Sequence, residues 1–175
     1  MDLRSLFEEH HRAVFYAAYR LTGSVADSED VLQTVFLRMA SRDDLSLPLA
    51  SSAAYLKRAA VNAAVDILRR RKAAPDSLHL VPEPFSGNGK AERDLLADRQ
   101  ALRDWLRSAV GRMSQRMAEV FALRFLEGYG NSEIAGILNT SENTIAVTVH
   151  RLRAQLKMEL DETLGAGNEN RRKEQ

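Results

Sequence analysis

No cysteine occurs in the 175 residues, which excludes disulfides, thiolate zinc sites, iron–sulfur clusters and Cys nucleophiles. Glycine and proline are scarce, at nine and four, which argues against a sandwich, a barrel or a collagen-like chain. Long apolar runs are missing as well: the longest, Ala13 to Tyr19, falls far short of the ~20 residues of a membrane span. Met1-Asp2-Leu3-Arg4 lacks a signal-peptide layout, so the expectation is a cytoplasmic chain with no membrane insertion. Nor is there an excess of one charge, since 25 Lys and Arg stand against 24 Asp and Glu. What the chain does have is 24 Ala, 23 Leu and a 45% hydrophobic fraction. These favour helices with a usable core, in one generous domain or two small ones.

Helical spacing organises most of the chain. From Asp2 to Leu21, apolar residues recur at Leu3, Phe7, Val14, Ala18 and Leu21, and Thr22-Gly23 ends the run. Ser24 with Asp27 three residues on is a capping signature. It opens a helix to about Ser41 with Val31, Leu32, Val35, Phe36 and Met39 inward. A third helix is predicted from about Ser52 to Lys72, with Ala59, Ala63, Ala64 and Leu68 available for close packing. Residues 73–90 hold three of the four prolines and read as a flexible linker. Gly89-Lys90 within it is no phosphate loop, because Pro84 and Ala91 stand where Gly and a hydroxyl are required. Pattern resumes at Ala91, with Leu95, Leu102, Leu106 and Val110 on one face, and again over Gln115 to Leu126, with Val120, Phe121 and Leu123 inward. The tail from Gly165 to Gln175 shows no pattern, and disorder is expected there. The expected fold is therefore all-α, two small helical domains: 1–72, then the linker 73–90, then 91–165, with 166–175 as a tail.

Residues 131–152 form the sharpest local pattern. Asn131 or Ser132 can cap a short helix whose buried side is Ile134, Ala135 and Leu138. Asn139 sits where a left-handed turn residue is needed, Ser141 caps the next helix, and Ile145, Val149 and Leu152 hold it down. This is helix-turn-helix spacing, although taken alone it also fits an ordinary αα-hairpin. The outward residues Glu142, Asn143, Ala146, Val147, His150, Arg151 and Arg153 combine base-reading amides, methyl-contacting apolar groups and phosphate-binding cations, and Ser141 and Thr144 at the helix start join them as candidate DNA contacts.

Charge is segregated along the chain. Residues 24–44 carry five acids and two bases, whereas residues 51–72 carry six bases and one acid. In the second stretch Tyr55, Lys57, Arg58, Asn62, Asp66, Arg69, Arg70 and Arg71 mix an aromatic, an amide and cations, a composition suited to single-stranded DNA.

These residues resemble bacterial extracytoplasmic-function (ECF) sigma factors in their two-domain form. The resemblance rests on Ala18-Tyr19-Arg20-Leu21-Thr22-Gly23 running into Ala26 to Arg38, on Tyr55 to Asn62 with Asp66 to Arg71, and on Glu119 to Gly128 with Glu133-Ile134-Ala135 and His150 to Arg153. It implies that residues 1–72 engage RNA polymerase core and melt the minus-ten element. Asp27, Asp30, Gln33 and Phe36 would then lie on the clamp helices of the largest polymerase subunit. Asn62, Asp66 and the loop before Tyr55 would receive an extruded base. It also implies that residues 91–165 read the minus-thirty-five element through Glu142 to Arg153, and that an anti-sigma factor restrains a chain that is monomeric when free. The chain differs from many members at Met39, Ala40 and Tyr55, at Gly130-Asn131, and at Ala146-Val147-Thr148, where Lys-Ser-Arg is common.

Two other classes compete. A helix-turn-helix regulator acting without polymerase shares the DNA-reading end but leaves the acidic and basic helices without a purpose. An enzyme has little to stand on. His10 and His11 point to different sides of a helix, His79 and His150 stand alone, and no hydrolase, metalloprotease or phosphate-loop motif occurs. No cofactor or metal is expected.

Overall fold

The structure, a computed structural model, describes the backbone of residues 2–41, 49–73 and 90–173 and the side chains of residues 2–41, 52–71 and 96–163. Among the described residues every regular element is helical. Helix α1 (Leu3–Thr22) is capped by Asp2, whose carboxylate accepts the Ser5 N–H at 2.7 Å. That hydrogen bond holds the Asp2 carboxyl below its ordinary range. At the other end Gly23 turns left-handed (φ 64°) and donates to Tyr19 O at 2.8 Å. Ser24 then caps α2 (Val25–Ala40), accepting the Asp27 N–H at 3.2 Å, as the sequence predicts. Buried hydroxyls close this corner: Thr22 Oγ1 donates to Ala18 O at 3.1 Å and Ser28 Oγ to Ser24 O at 2.6 Å.

Helix α3 (Leu49–Ala73) packs on both α1 and α2. Val14, Val31, Val35, Leu56, Ala60 and Val65 form the centre of this core, each essentially inaccessible to solvent. The inward face of α1 includes Leu6 and His10 rather than Phe7, which is 41% exposed. His10 is tolerated there because its Nε2 lies 3.0 Å from Ser52 Oγ on α3.

Helix α4 (Lys90–Arg112) lies against α3. Its expected stripe is only partly realised. Val110 is buried with Ala109 and Met113, whereas Leu102 is exposed, and Leu95 lies outside the described side chains. Gly111 marks where the two helices meet, since a Cβ there would stand 3.5 Å from Leu68 O, in ordinary contact.

The compact units divide at Glu119/Val120. Residues 90–119 belong with the first unit because α4 and the start of α5 (Gln115–Phe121) find their partners on α3. Apart from Ala73 and Lys90, the expected linker lies outside the described residues.

In the second unit α5 passes directly into a π-helical turn, Ala122–Leu126, followed by α6 (Asn131–Ile137) and α7 (Glu142–Lys173). Val120, Leu123, Ile134, Ala135, Leu138, Ile145 and Val149 form its core, with Tyr129 and Ile137 packed at the margin. Neither Asn131 nor Ser132 caps α6. Its first turn is fixed instead by Glu133, whose carboxylate accepts the Gly130 N–H at 2.7 Å. Helix α7 continues to Lys173, through the tail for which the sequence predicts disorder. No proline interrupts that stretch, and extending an existing helix costs far less than starting one.

Candidate nucleic-acid interface

The turn between α6 and α7 places the second unit's reading surface. Asn139 adopts φ 48°, and the Thr140 N–H returns to Ala135 O at 2.9 Å. Ser141 Oγ then accepts the Thr144 N–H at 3.1 Å and starts α7. Ile145, Val149 and Leu152 point into the core. That register leaves Glu142, Asn143, Ala146, Val147, His150, Arg151 and Arg153 exposed, the set the spacing assigns to the outward side, and Ser141 and Thr144 at the helix start are exposed with them. Two are not wholly at liberty: Ser141 is engaged by Thr144, and the Arg153 guanidinium lies over the Phe125 ring, 5.7 Å from its centroid. Thr148, by contrast, turns its hydroxyl back onto Thr144 O at 2.8 Å.

The basic helix of the first unit is arranged less simply. Arg58 Nε donates to Glu119 Oε1 at 3.0 Å. Asn62 Oδ1 accepts from Gln115 Nε2 at 2.6 Å. Arg69 donates to Gln115 Oε1 at 2.6 Å and to Met113 O at 2.9 Å. Arg71 pairs with Asp27 on α2, 2.5 Å apart. Arg70 and Asp66 are exposed, and Tyr55 is 36% exposed. Lys57 is half-buried. The part of the preceding loop at residues 42–48 lies outside the described residues.

On α2, Asp30 and Gln33 face solvent. Phe36 does not: it is 8% exposed and meets Phe7 edge-on at 4.9 Å. Asp27 is held by Arg71. A groove of about 250 Å³ runs between α2 and α3 and brings Asp30 and Gln33 together with Asp66 and Arg70. Met39 is fully buried, so that position is used for packing. No cluster able to hold a metal occurs among the described residues.

Sequence reasoning missed the residues that occupy α3: Gln115, Glu119 and the Met113 carbonyl. Two signals point to them. Glu119 is an acid between Ala118 and Val120 in an inward run, so it requires a buried partner. Gly111 is an isolated glycine in a helical pattern, which marks a close approach.

Comparison with known proteins adds a family. The family models for sigma-70 region 2 and sigma-70 region 4 match residues 6–74 and 103–156. The RNA polymerase sigma-E factor of Streptomyces avermitilis is 30% identical over 159 residues, covering 89% of this chain and 85% of that one. The RNA polymerase sigma-E factor of Streptomyces coelicolor is 30% identical over 158 residues, 88% and 85% of the two chains. The ECF RNA polymerase sigma factor SigL of Mycobacterium tuberculosis is 27% identical over 168 residues, 91% and 89%. Among solved structures, CnrH in complex with the cytosolic domain of CnrY covers 91% of this chain and 88% of its own, with a TM-score of 0.50 and 23% identity, a likeness of fold.

Proposed function

The chain belongs to the ECF sigma factors of the sigma-70 family, polymerase-binding factors that confer promoter specificity, and on that premise we propose how its surfaces divide the work. Residues 1–72 engage polymerase core and the minus-ten element, and residues 91–165 read the minus-thirty-five element. Asp30 and Gln33 are the core-binding side chains, because they are the exposed members of the group Asp27, Asp30, Gln33 and Phe36. Asp27 and Phe36 act behind them as packing and pairing residues. The exposed side of α3, with Tyr55, Asp66 and Arg70, meets the opened strand alongside Arg58, Asn62, Arg69 and Arg71, and the half-buried Lys57 adds its charge from a different side of the helix.

The observation that carries this reading is the register of α7. Three buried anchors, Ile145, Val149 and Leu152, leave Asn143, Ala146, Val147, His150 and Arg151 on one exposed face behind a left-handed Asn139. A helix presented in this way enters a major groove with its N-terminal residues at the base edges. Asn143 and Val147 suit adenine amide edges and thymine methyls, while Arg151 suits a phosphate.

Sigma factors are initiation factors without enzymatic activity of their own, and we assign none to this chain. We place it in the cytoplasm, where polymerase is, as a monomer when free and under the control of an anti-sigma factor. No described helix is long and apolar enough to cross a membrane. A regulator that works without polymerase leaves the match of residues 6–74 to sigma-70 region 2 unexplained. The test is core pull-down followed by run-off transcription from promoters selected out of a random library. The expected result is a stable complex with core and defined start sites. DNA binding as a dimer, with no core association, would favour the regulator.

A further inference from the structure

A directional bond joins α1 to the start of α3. His10 Nε2 lies 3.0 Å from Ser52 Oγ, with His10 7% exposed and Ser52 not at all. The Glu9 carboxylate stands 3.8 Å from the same nitrogen, beyond hydrogen-bond reach. The neighbouring His11 turns its ring onto its own helix, Nδ1 lying 2.9 Å from Phe7 O. His10 instead meets a residue 42 positions along the chain. A buried polar pair adds little net stability over apolar residues of the same volume, and its best-attested use in a core is to fix register. Register is what α3 needs. Ser52, Leu56 and Ala60, at intervals of four, form one buried row, and Ala63 and Ala64 extend the buried surface with small side chains. Alanines interlock little, so a face built largely of them leaves a helix some freedom to turn or slide.

We propose that His10 is a positioning residue for strand capture: through Ser52 it sets the rotation of the first turns of α3 and so holds Tyr55, three residues on, where an unpaired base of the opened strand can stack. The proposal rests on the reading of α3 as the strand-binding helix. Tyr55 is 36% exposed, on the helix whose inward side Ser52 anchors. A side chain reaches about 6 Å from the axis of its helix, so a turn of about 20° moves it by about 2 Å. A recognition site tolerates only about 0.5 Å and 10–20° before its function falls. Two properties are thereby separated. Burial of Leu56, Val61 and Val65 holds the bundle together, whereas the His10–Ser52 bond decides where the exposed side of α3 points. The bond includes no residue of α2, which carries Asp30 and Gln33, so core binding does not depend on it.

The test uses the full chain assembled with polymerase core, on a promoter selected with the unaltered chain, and reads unpaired thymines by permanganate well below the lowest melting temperature of the set. The double variant His10→Phe, Ser52→Ala removes both polar partners at nearly constant combined volume. It is expected to keep the melting temperature and core association of the unaltered chain while the permanganate signal falls about tenfold, the loss of one stacked base. His10→Gln, whose amide reaches the same hydroxyl, is expected to restore most of the signal. A bond with a merely structural role would move the melting temperature and every readout together. Strand opening by the double variant at the unaltered level overturns the proposal, and so does a His10→Gln chain that fails as the double variant does. Should the double variant not fold, Ser52→Ala alone takes its place, with the same expectation and the same overturning result. Failure of the unaltered chain to bind core or to select any promoter strikes the function reading instead.

Discussion

Arg71 Nη2 stands 2.5 Å from Asp27 Oδ2, so the basic helix has already claimed one acid of the acidic helix. The Asp27 side chain is only 14% exposed and sits in the first turn of α2, where the helix dipole also favours a negative charge. Its role is to join α2 to α3. Asp30, one turn on, has no such duty and faces solvent.

Replacing these acids therefore has opposite consequences. Asp27→Asn is expected to lower stability by about 1–2 kcal/mol, through the lost pair and weakened dipole interaction, with core affinity nearly unchanged. Asp30→Ala and Gln33→Ala are expected to keep the melting temperature and weaken core binding. Thermal unfolding and core titration on the three variants separate the cases. A stable Asp27→Asn that fails to bind core would return Asp27 to the binding face.

On α7 the division is between reading and holding. Arg151→Ala is expected to weaken duplex binding uniformly across sequences and to reduce the slope of log affinity against log salt by about one. Asn143→Ala is expected to change which base is preferred, with a loss of discrimination of about 1–3 kcal/mol at one position. Titrations of base-substituted duplexes at several salt concentrations distinguish them, and exchanged phenotypes would mean that α7 is rotated relative to the groove.

The α6–α7 turn supplies a stability test. With φ at 48°, Asn139 occupies a conformation that glycine adopts freely and a branched residue resists. Asn139→Gly is expected to leave stability within about 0.5 kcal/mol, whereas Asn139→Val should cost about 1–2 kcal/mol. Urea unfolding of the pair measures the difference. A neutral valine would show that this turn tolerates another backbone path.

The legible parts of this molecule are those written at short range. Asn139, Ser141 and the Ile145-Val149-Leu152 interval lie within fourteen residues, and the helix-turn-helix they encode appears with its outward face as expected. The Ser24 cap and the Gly23 stop are local as well. What could not be read is pairing across distance. Arg58 meets a residue 61 positions away, Asn62 one 53 away and Arg69 one 46 away. Spacing along a chain carries no trace of such partners, so a helix rich in cations looks solvated even when much of its charge is engaged. The same limit hid the attachment of residues 90–119 to the first compact unit. The misplaced stripe on α4 has a different cause. Leu102 fits the period, but the approach of α4 to α3 is made near Gly111 and not along its whole length.

The stack of Arg153 on Phe125 bears on how tightly α7 can hold its target. A long cationic side chain surrenders roughly 0.5–1.5 kcal/mol of rotamer freedom when a ligand immobilises it. Resting on an aromatic plate, this guanidinium has given up part of that freedom during folding. Immobilising it on encounter thus costs less entropy than immobilising a neighbour such as Arg151, and trimming Phe125 to leucine would leave the charge in place while raising that cost.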